Sequence, residues 1–205
     1  MKLNIHVIIG KSLSGKSTLL NQLQKLGIHQ VPKLITNTTR PKREHEQNGR
    51  DYHFVTNTQY DQDIKQNIAI APRAYNVAHH QTWYYYLSQT ELSKHLHDPK
   101  INHVALILDY QGAKDLKAYI KQFNNTHIND NITVTIWYLD VDIKTRLTRY
   151  LLGPRSNEDP KEVIRRLYDD EYHAFNDLDD QHVIKAEHIH KIHNLSDMLP
   201  TLLDK

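Results

Sequence analysis

Gly10, Lys11, Ser12, Leu13, Ser14, Gly15, Lys16 and Ser17 satisfy the spacing G-x-x-x-x-G-K-[ST] near the start of the chain. These residue types suit a polyphosphate. The glycines let the backbone curl so that successive N–H groups point inward, and a helix beginning at the end of the loop adds the positive end of its dipole. Over residues 10–18, ending at Thr18, the loop is therefore expected to hold the phosphates of a nucleotide. Lys16 would reach the β- and γ-phosphates and the Ser17 hydroxyl would take one Mg²⁺ position. A second candidate is Asp109, the acid at the end of the apolar run 103–109. It can complete the Mg²⁺ site with Ser17, or it can cap the turn that follows.

These groups need a scaffold, and the hydrophobic pattern supplies one. Leu3, Ile5, Val7, Ile8 and Ile9 read as a buried parallel strand feeding the loop, and a helix over 17–26 follows, stopped by Gly27. A short strand is expected at 31–36, then a basic loop at 37–50 and an alternating strand at 51–55. A polar helix at 58–67 precedes two strands at 68–77 and 82–87, the second crowded with Trp83, Tyr84, Tyr85 and Tyr86. The α/β rhythm then returns. Helices are expected from Ser88 to 97, at 113–123, at 142–152 and from Pro160 to about 179, with strands at 103–109, 132–139 and 183–184 and a last helix at 195–203. Strands alternating with helices give a parallel sheet that collects ligands at its carboxyl ends.

Composition limits the alternatives. The chain has 205 residues, enough for one compact domain with an insertion, and 26 Lys plus Arg against 24 Asp plus Glu. A net charge of +2 gives no global field to recruit nucleic acid or anionic membrane. The absence of Cys removes disulfides, thiolate metal sites and Cys nucleophiles together. No apolar run is long enough to span a bilayer and the N-terminus does not read as a signal peptide, so a cytoplasmic protein is expected. His79-His80, His95-x-His97 and His188-x-His190-x-x-His193 lack the carboxylate pattern of a metal helix and read as surface residues.

The stretch from Thr38 to Val55 separates the kinds of nucleotide-binding protein. It resembles the acceptor segment of guanylate kinases, T-T-R-x-x-R-x-G-E-x-x-G-x-D-Y-x-F-V, at every fixed position but one, where His45 replaces Gly. The resemblance implies an α/β, three-layer P-loop NTPase fold with a parallel sheet, a small β-rich insertion for the nucleoside monophosphate and an arginine-containing lid. The core would comprise 1–35 and 88–205, with the lid at about 149–160 and the insertion at 36–87. It implies transfer of the ATP γ-phosphoryl group to a nucleoside monophosphate, with GMP or dGMP first among them, and Mg²⁺ accompanying ATP. The acceptor phosphate would be gripped by Arg40, Arg43, Tyr52 and Tyr85, with Thr36 near the base, Glu46 close to the acceptor, and Arg73 and Asp109 lining the same site. Guanidinium forks that clamp a phosphate and phenols that fix its rotation are the chemistry such a site needs.

Arg146, Arg149, Arg155 and Arg166 resemble the lid arginines of the family, which neutralise charge on the transferring group together with Lys16. Spacing places Arg155 eleven residues before Arg166, while an insertion at 150–154 leaves open whether Arg146 or Arg149 enters the site. Departures bear on the acceptor. Arg73 is the nearest equivalent of a family Glu that reads guanine, Ile107 replaces the first acid of D-x-D-x-Q-G, and Tyr86 and Leu87 replace the glycine and the first small hydroxyl residue of Y-Y-G-[TS]-[TS]. A related kinase acting on another acceptor, such as ribose 1,5-bisphosphate or another monophosphate, and a non-catalytic binding module both stay open. A GTPase switch lacks its N-K-x-D motif here. The expected partners are ATP and a nucleoside monophosphate, with no nucleic acid and no membrane, in a monomer or homodimer.

Overall fold

The computed structural model describes residues 2–25, 31–77, 81–96, 98–128, 130–153, 158–186 and 188–200, excepting the side chains of residues 179, 181 and 186. Two sheets divide the strands. The first, with order β6-β1-β7-β8, is wholly parallel and comprises β1 (Lys2–Ile9), β6 (His103–Ile107), β7 (Asn131–Leu139) and β8 (Ile189–Ile192). The second, with order β3-β2-β5-β4, comprises β2 (Asn37–Thr38), β3 (His53–Phe54), β4 (Ala69–Val77) and β5 (Gln81–Ser88).

Alternation along β1 explains the layers. Leu3, Ile5, Val7 and Ile9 face a core shared with Leu92 and Leu96 of α3 (Gln89–Leu96) and with Leu116 and Ile120 of α4 (Tyr110–Thr126). Ile8 faces the other way, against Leu19, Leu20 and Leu23 of α1 (Lys16–Lys25) and Trp137 of β7. Side chains that alternate between two buried faces read as a nearly continuous apolar run, which is why the strand was visible in the sequence. α2 (Asn57–Lys65) belongs to the second unit, and Thr56 caps it by accepting from Gln59 N at 3.1 Å. Ser88 caps α3 through Glu91 N at 3.1 Å, as its position predicts. Asp142 caps α5 (Ile143–Leu152), and Asp159 with Pro160 starts α6 (Pro160–Asp169).

Several expectations need correction. Residues 31–36 make no strand of their own. They run beside β6 through a bridge at Lys33 and the bonds Leu34 N to Ala105 O (2.9 Å) and Ala105 N to Pro32 O (3.0 Å). Pro32 has no N–H to extend that ladder. The strand expected at 51–55 shrinks to β3, because Asp51 and Tyr52 lie in the turn that closes the basic loop. The long helix from Pro160 ends at Asp169. A π turn at Asp170–Ala174 and a 3-10 turn at Asn176–Asp179 continue it. Val183 and Ile184 are helical, in α7 (Gln181–Ala186), because Asp180 accepts from His182 N (2.7 Å) and Ile184 N (3.2 Å) and so starts a helix there. The edge strand is β8 instead, whose polar centre, His190-Lys191, hid it between the buried Ile189 and Ile192. At 195–203 the described part is a 3-10 turn, Leu195–Asp197, leading into a helical start at residues 199 and 200. Among the described residues no helix is long and apolar enough to cross a membrane.

Candidate active site

The phosphate loop lies between β1 and α1, at the carboxyl end of the central strand of the parallel sheet. A Cβ at Gly10 would stand 2.8 Å from Leu139 O and 2.9 Å from Ser14 Oγ, so only glycine fits. Gly15 has φ +99°, a left-handed value that other residues adopt only with strain. Lys16 bends back over the loop and donates to Gly10 O (2.7 Å) and Lys11 O (3.1 Å). Its ammonium already lies across the cradle. Ser17 and Thr18, in the first turn of α1, are exposed.

The chain supplies its own anion to this loop. Asp170 Oδ2 accepts from Ser12 N at 2.6 Å, the kind of amide that a nucleotide phosphate would use, and Glu171 Oε2 takes Lys11 Nζ at 2.9 Å. Burial raises the Asp170 pKa above the ordinary carboxylate value, against the opposing pull of the Ser12 amide, Lys16 and Arg146. Arg146 sits behind these acids with no exposed surface. It pairs with Glu171, approaches Asp170 Oδ2 at 3.8 Å and donates to Ser12 O at 3.3 Å. Arg149, one turn further along α5, donates Nη1 to Leu13 O (3.1 Å) and Ser14 O (2.5 Å) and packs 3.3 Å from where a Gly15 Cβ would be. Both arginines therefore touch the loop, Arg146 from within the protein and Arg149 from its surface.

The acceptor segment folds around one ion pair. Glu46 clasps Arg40 through both oxygens, at 2.7 Å to Nη2 and 3.0 Å to Nη1, and also accepts from Arg43 N at 2.8 Å. Burial opposes the charge on each. The mutual hydrogen bond outweighs it, so the Glu46 pKa falls below the ordinary value and that of Arg40 rises. The Arg40 guanidinium lies 5.4 Å from the Tyr52 ring centroid and 5.8 Å from that of Phe54. Tyr52 meets Tyr85 edge-on at 6.0 Å, and Tyr85 meets Tyr75 at 5.5 Å. Burial first, then Tyr85, raises the Tyr52 pKa, so its hydroxyl stays protonated as a donor.

A cavity of about 470 Å³ joins these parts. Gly10, Ser12 and Lys16 line one end, and Thr36, Arg40, Arg43, Tyr52, Arg73, Tyr85 and Asp109 line the other, with Arg166 of α6 also on the wall. Glu46 stands behind Arg40 instead of on the cavity wall, which makes it a positioning group for the fork. Arg43 Nη2 reaches Glu158 Oε1 at 3.4 Å, and the other Glu158 oxygen pairs with Arg166. One carboxylate, just before α6, thus stands between an arginine of the second sheet's unit and an arginine of α6. Arg155 lies outside the described residues.

Asp109 is held by the protein on both of its oxygens. Its Oδ1 caps α4 by accepting from Gly112 N at 2.6 Å, and its Oδ2 takes Arg73 Nε at 3.0 Å and the Tyr75 hydroxyl. Both oxygens accept from protein donors, so Asp109 caps the turn after β6 and would meet a Mg²⁺ ion through water. The Ser17 hydroxyl does fit, as a hard oxygen at the loop's end, for an ion that keeps most of its waters. Among the described residues no group of three or more His, Asp or Glu could hold a metal. The acids at 158, 170 and 171 and Tyr75 escaped the sequence reading. Asp170 follows Arg166 by four residues on one helical face, and Tyr75 follows Arg73 by two on one strand face, so their spacing carried that signal.

Comparison with known proteins follows the same outline. A family model described as guanylate kinase matches residues 2–131. The guanylate kinase of Helicobacter hepaticus is 35% identical over 120 residues, covering 57% of this chain and 54% of that protein. The guanylate kinase of Paraburkholderia xenovorans is 32% identical over 165 residues, covering 80% of this chain and 64% of its own length. Against the first relatives, the match spans about half of their length. A crystal structure of guanylate kinase from Anaplasma phagocytophilum superposes with a TM-score of 0.52 at 17% identity, covering 99% of this chain and 84% of that one, and so shares the fold.

Proposed function

From the premise that this chain belongs to the guanylate kinase family, we propose that it transfers the γ-phosphoryl group of ATP to the phosphate of a nucleoside monophosphate. The observation that carries this reading is the single cavity with Lys16 and the loop amides at one end and the Arg40–Tyr52–Tyr85 cluster, joined by Arg43, at the other. Two anions laid end to end in that space would bring a phosphate oxygen into line with the γ-phosphorus. The acceptor is already an anionic nucleophile, so no general base is required. The protein's work is alignment and charge neutralisation.

Each residue then has a role in its own chemistry. ATP displaces Asp170 from Ser12 N and draws Lys16 off the loop carbonyls onto its β- and γ-oxygens. Ser17 would hold the Mg²⁺ that arrives with ATP, an ion that neutralises charge between those phosphates. Arg40, kept in plane by Glu46, and Arg43 clamp the acceptor phosphate, while the Tyr52 and Tyr85 hydroxyls fix its rotation. Arg166, released from Glu158, moves its charge toward the transferring group. Lid closure keeps water from taking the phosphoryl group instead.

The relatives are named for guanylate, which makes GMP and dGMP the first acceptors to assay. One observation favours a second reading of the acceptor: Arg73, a fixed donor, occupies the far wall of the cavity together with Asp109. A coupled ADP-release assay with ATP·Mg²⁺ and a panel of monophosphates tests the proposal. Acceptor-dependent ADP release that vanishes in Lys16→Ala and Arg40→Ala is the expected result. ATP binding without turnover of any phosphorylated acceptor would instead mark a binding module.

A further inference from the structure

The far end of the cavity carries chemistry that the phosphate grip does not use. β4 enters it through a bulge. Ile70 pairs with Leu87 and Arg73 with Tyr85, so two residues, Ala71 and Pro72, stand opposite Tyr86 alone. Ala71 has φ +49°, and Pro72, without an N–H, is tolerated at such a break. Side chains alternate along a strand, so one extra residue resets the faces. After it, Arg73, Tyr75 and Val77 line the cavity and Pro72, Ala74 and Asn76 are exposed. Without the bulge, Arg73 would point away.

Asp109 then fixes what the bulge aims. Donors from three places converge on its carboxylate: the Arg73 Nε, the Tyr75 hydroxyl and the Gly112 amide. Burial, then the charge of Asp109, holds the Tyr75 hydroxyl protonated and committed to that bond. The Asp109 carboxylate is thereby occupied, while the Arg73 guanidinium keeps donors for a ligand, since Nε is one of the five N–H groups an arginine presents. Trp83 and Tyr85 add flat apolar surface beside it.

We infer that Arg73, held by Asp109 and Tyr75, selects an acceptor whose base turns carbonyl or anionic oxygens toward it and carries no exocyclic amino group, an oxo-rich base such as xanthine or uracil in preference to guanine. The inference rests on the phosphotransfer reading above. Guanine turns the donors N1–H and N2–H₂ to a guanidinium on that edge and has acceptors only at O6 and N7, whereas xanthine and uracil flank the ring N–H with a carbonyl oxygen on each side. A site that leaves polar groups unpaired discriminates by about tenfold to a hundredfold per group. Arg73 acts here on the base, away from the transferring phosphoryl group.

The test is kcat/KM with ATP for GMP, IMP, XMP, AMP and UMP, in the wild type, Arg73→Gln and Arg73→Glu, with ATP binding and thermal melting measured alongside. XMP or UMP is expected to exceed GMP by about tenfold or more. Arg73→Gln brings the ratio near unity, and Arg73→Glu, which restores an acceptor, turns it toward GMP. GMP equal to or better than XMP and UMP in the wild type overturns the inference, as does a preference that survives Arg73→Gln. Should the variants fail to fold, the wild-type panel alone decides. If ATP binds but no monophosphate turns over, the phosphotransfer reading falls and this inference with it. A wild type that prefers GMP removes only the inference.

Discussion

Glu46 illustrates how a side chain can matter to a ligand without touching the cavity. Its carboxylate holds the Arg40 fork and the Arg43 amide together, so Glu46→Gln should raise the KM for the acceptor by about tenfold, the cost of one weakened charge-assisted bond, and leave the KM for ATP unchanged. Steady-state kinetics with each substrate varied in turn checks this. Lys16→Ala should instead lower kcat by about 10²–10³ with thermal melting unaltered, because in the proposed reaction the lysine works on charge that develops at the transferring group. Away from the site, His6 is fully buried between His103 and Trp137. The Trp137 indole donates to its Nδ1 at 3.0 Å, which leaves the ring proton on Nε2, 2.9 Å from His103 Nδ1. Burial first, then the charges of His103 and His190, lowers its pKa from 6.5 to about 3. The unfolded chain therefore takes up this proton first as pH falls. The stabilisation is complete above pH 6.5 and is lost toward pH 3, at up to about 1.4 kcal/mol per pH unit. Urea midpoints measured between pH 7 and 4 should show that slope, and His6→Asn should flatten it. The motif residues were legible because their types and spacing are dictated by phosphate chemistry. What held them was not. Nothing in the sequence near Asp109 says that a bulge at Ala71 and Pro72 will bring Arg73 and Tyr75 onto it.

At the scale of elements, α5 and the segment from α6 into the π turn carry the arginines and acids that meet the phosphate loop. Spacing alone left Arg146 and Arg149 equivalent, since both lie on one helix three residues apart. Packing separates them. Arg146, wholly buried, balances Asp170 and Glu171, and its removal would strand two acids against the phosphate loop. Arg146→Ala should cost about 3–5 kcal/mol of stability, the usual penalty for breaking a buried pair, whereas Arg149→Ala should leave the melting curve in place and reduce kcat. Chemical denaturation beside initial-rate measurements distinguishes the two. Asp170 makes the complementary case. Because its carboxylate occupies the Ser12 amide, Asp170→Asn should tighten ATP binding measured by calorimetry, and a loosening would show that this contact builds the loop instead of obstructing it. Helices with capping residues at their starts, such as those after Ser88, Asp142 and Asp159, were readable to within a residue or two. Val183 and Ile184 misled because two β-branched residues in a row say little once a preceding aspartate begins a helical turn.

Across the whole molecule, the division into a parallel sheet and a smaller mixed sheet was legible, since buried parallel strands read as apolar runs and the aromatic hairpin stands apart from them. β2, two residues inside what reads as a basic loop, was not, because it is made by the chain's path around Arg40 and Glu46 and not by any periodic pattern, whereas β3 falls within the alternating strand expected at 51–55. Between these two bodies stands Glu158, with Arg43 on one side and Arg166 on the other. If the proposed phosphotransfer holds, whichever guest arrives first would dislodge that carboxylate, and the second would then enter a vestibule where the latch is already undone. Donor and acceptor should consequently reinforce one another: the dissociation constant of each falls in the presence of the other by an equal factor, as reciprocity demands. In Glu158→Gln that mutual encouragement should fade toward independence, each compound binding the solitary protein about as well as its half-filled counterpart.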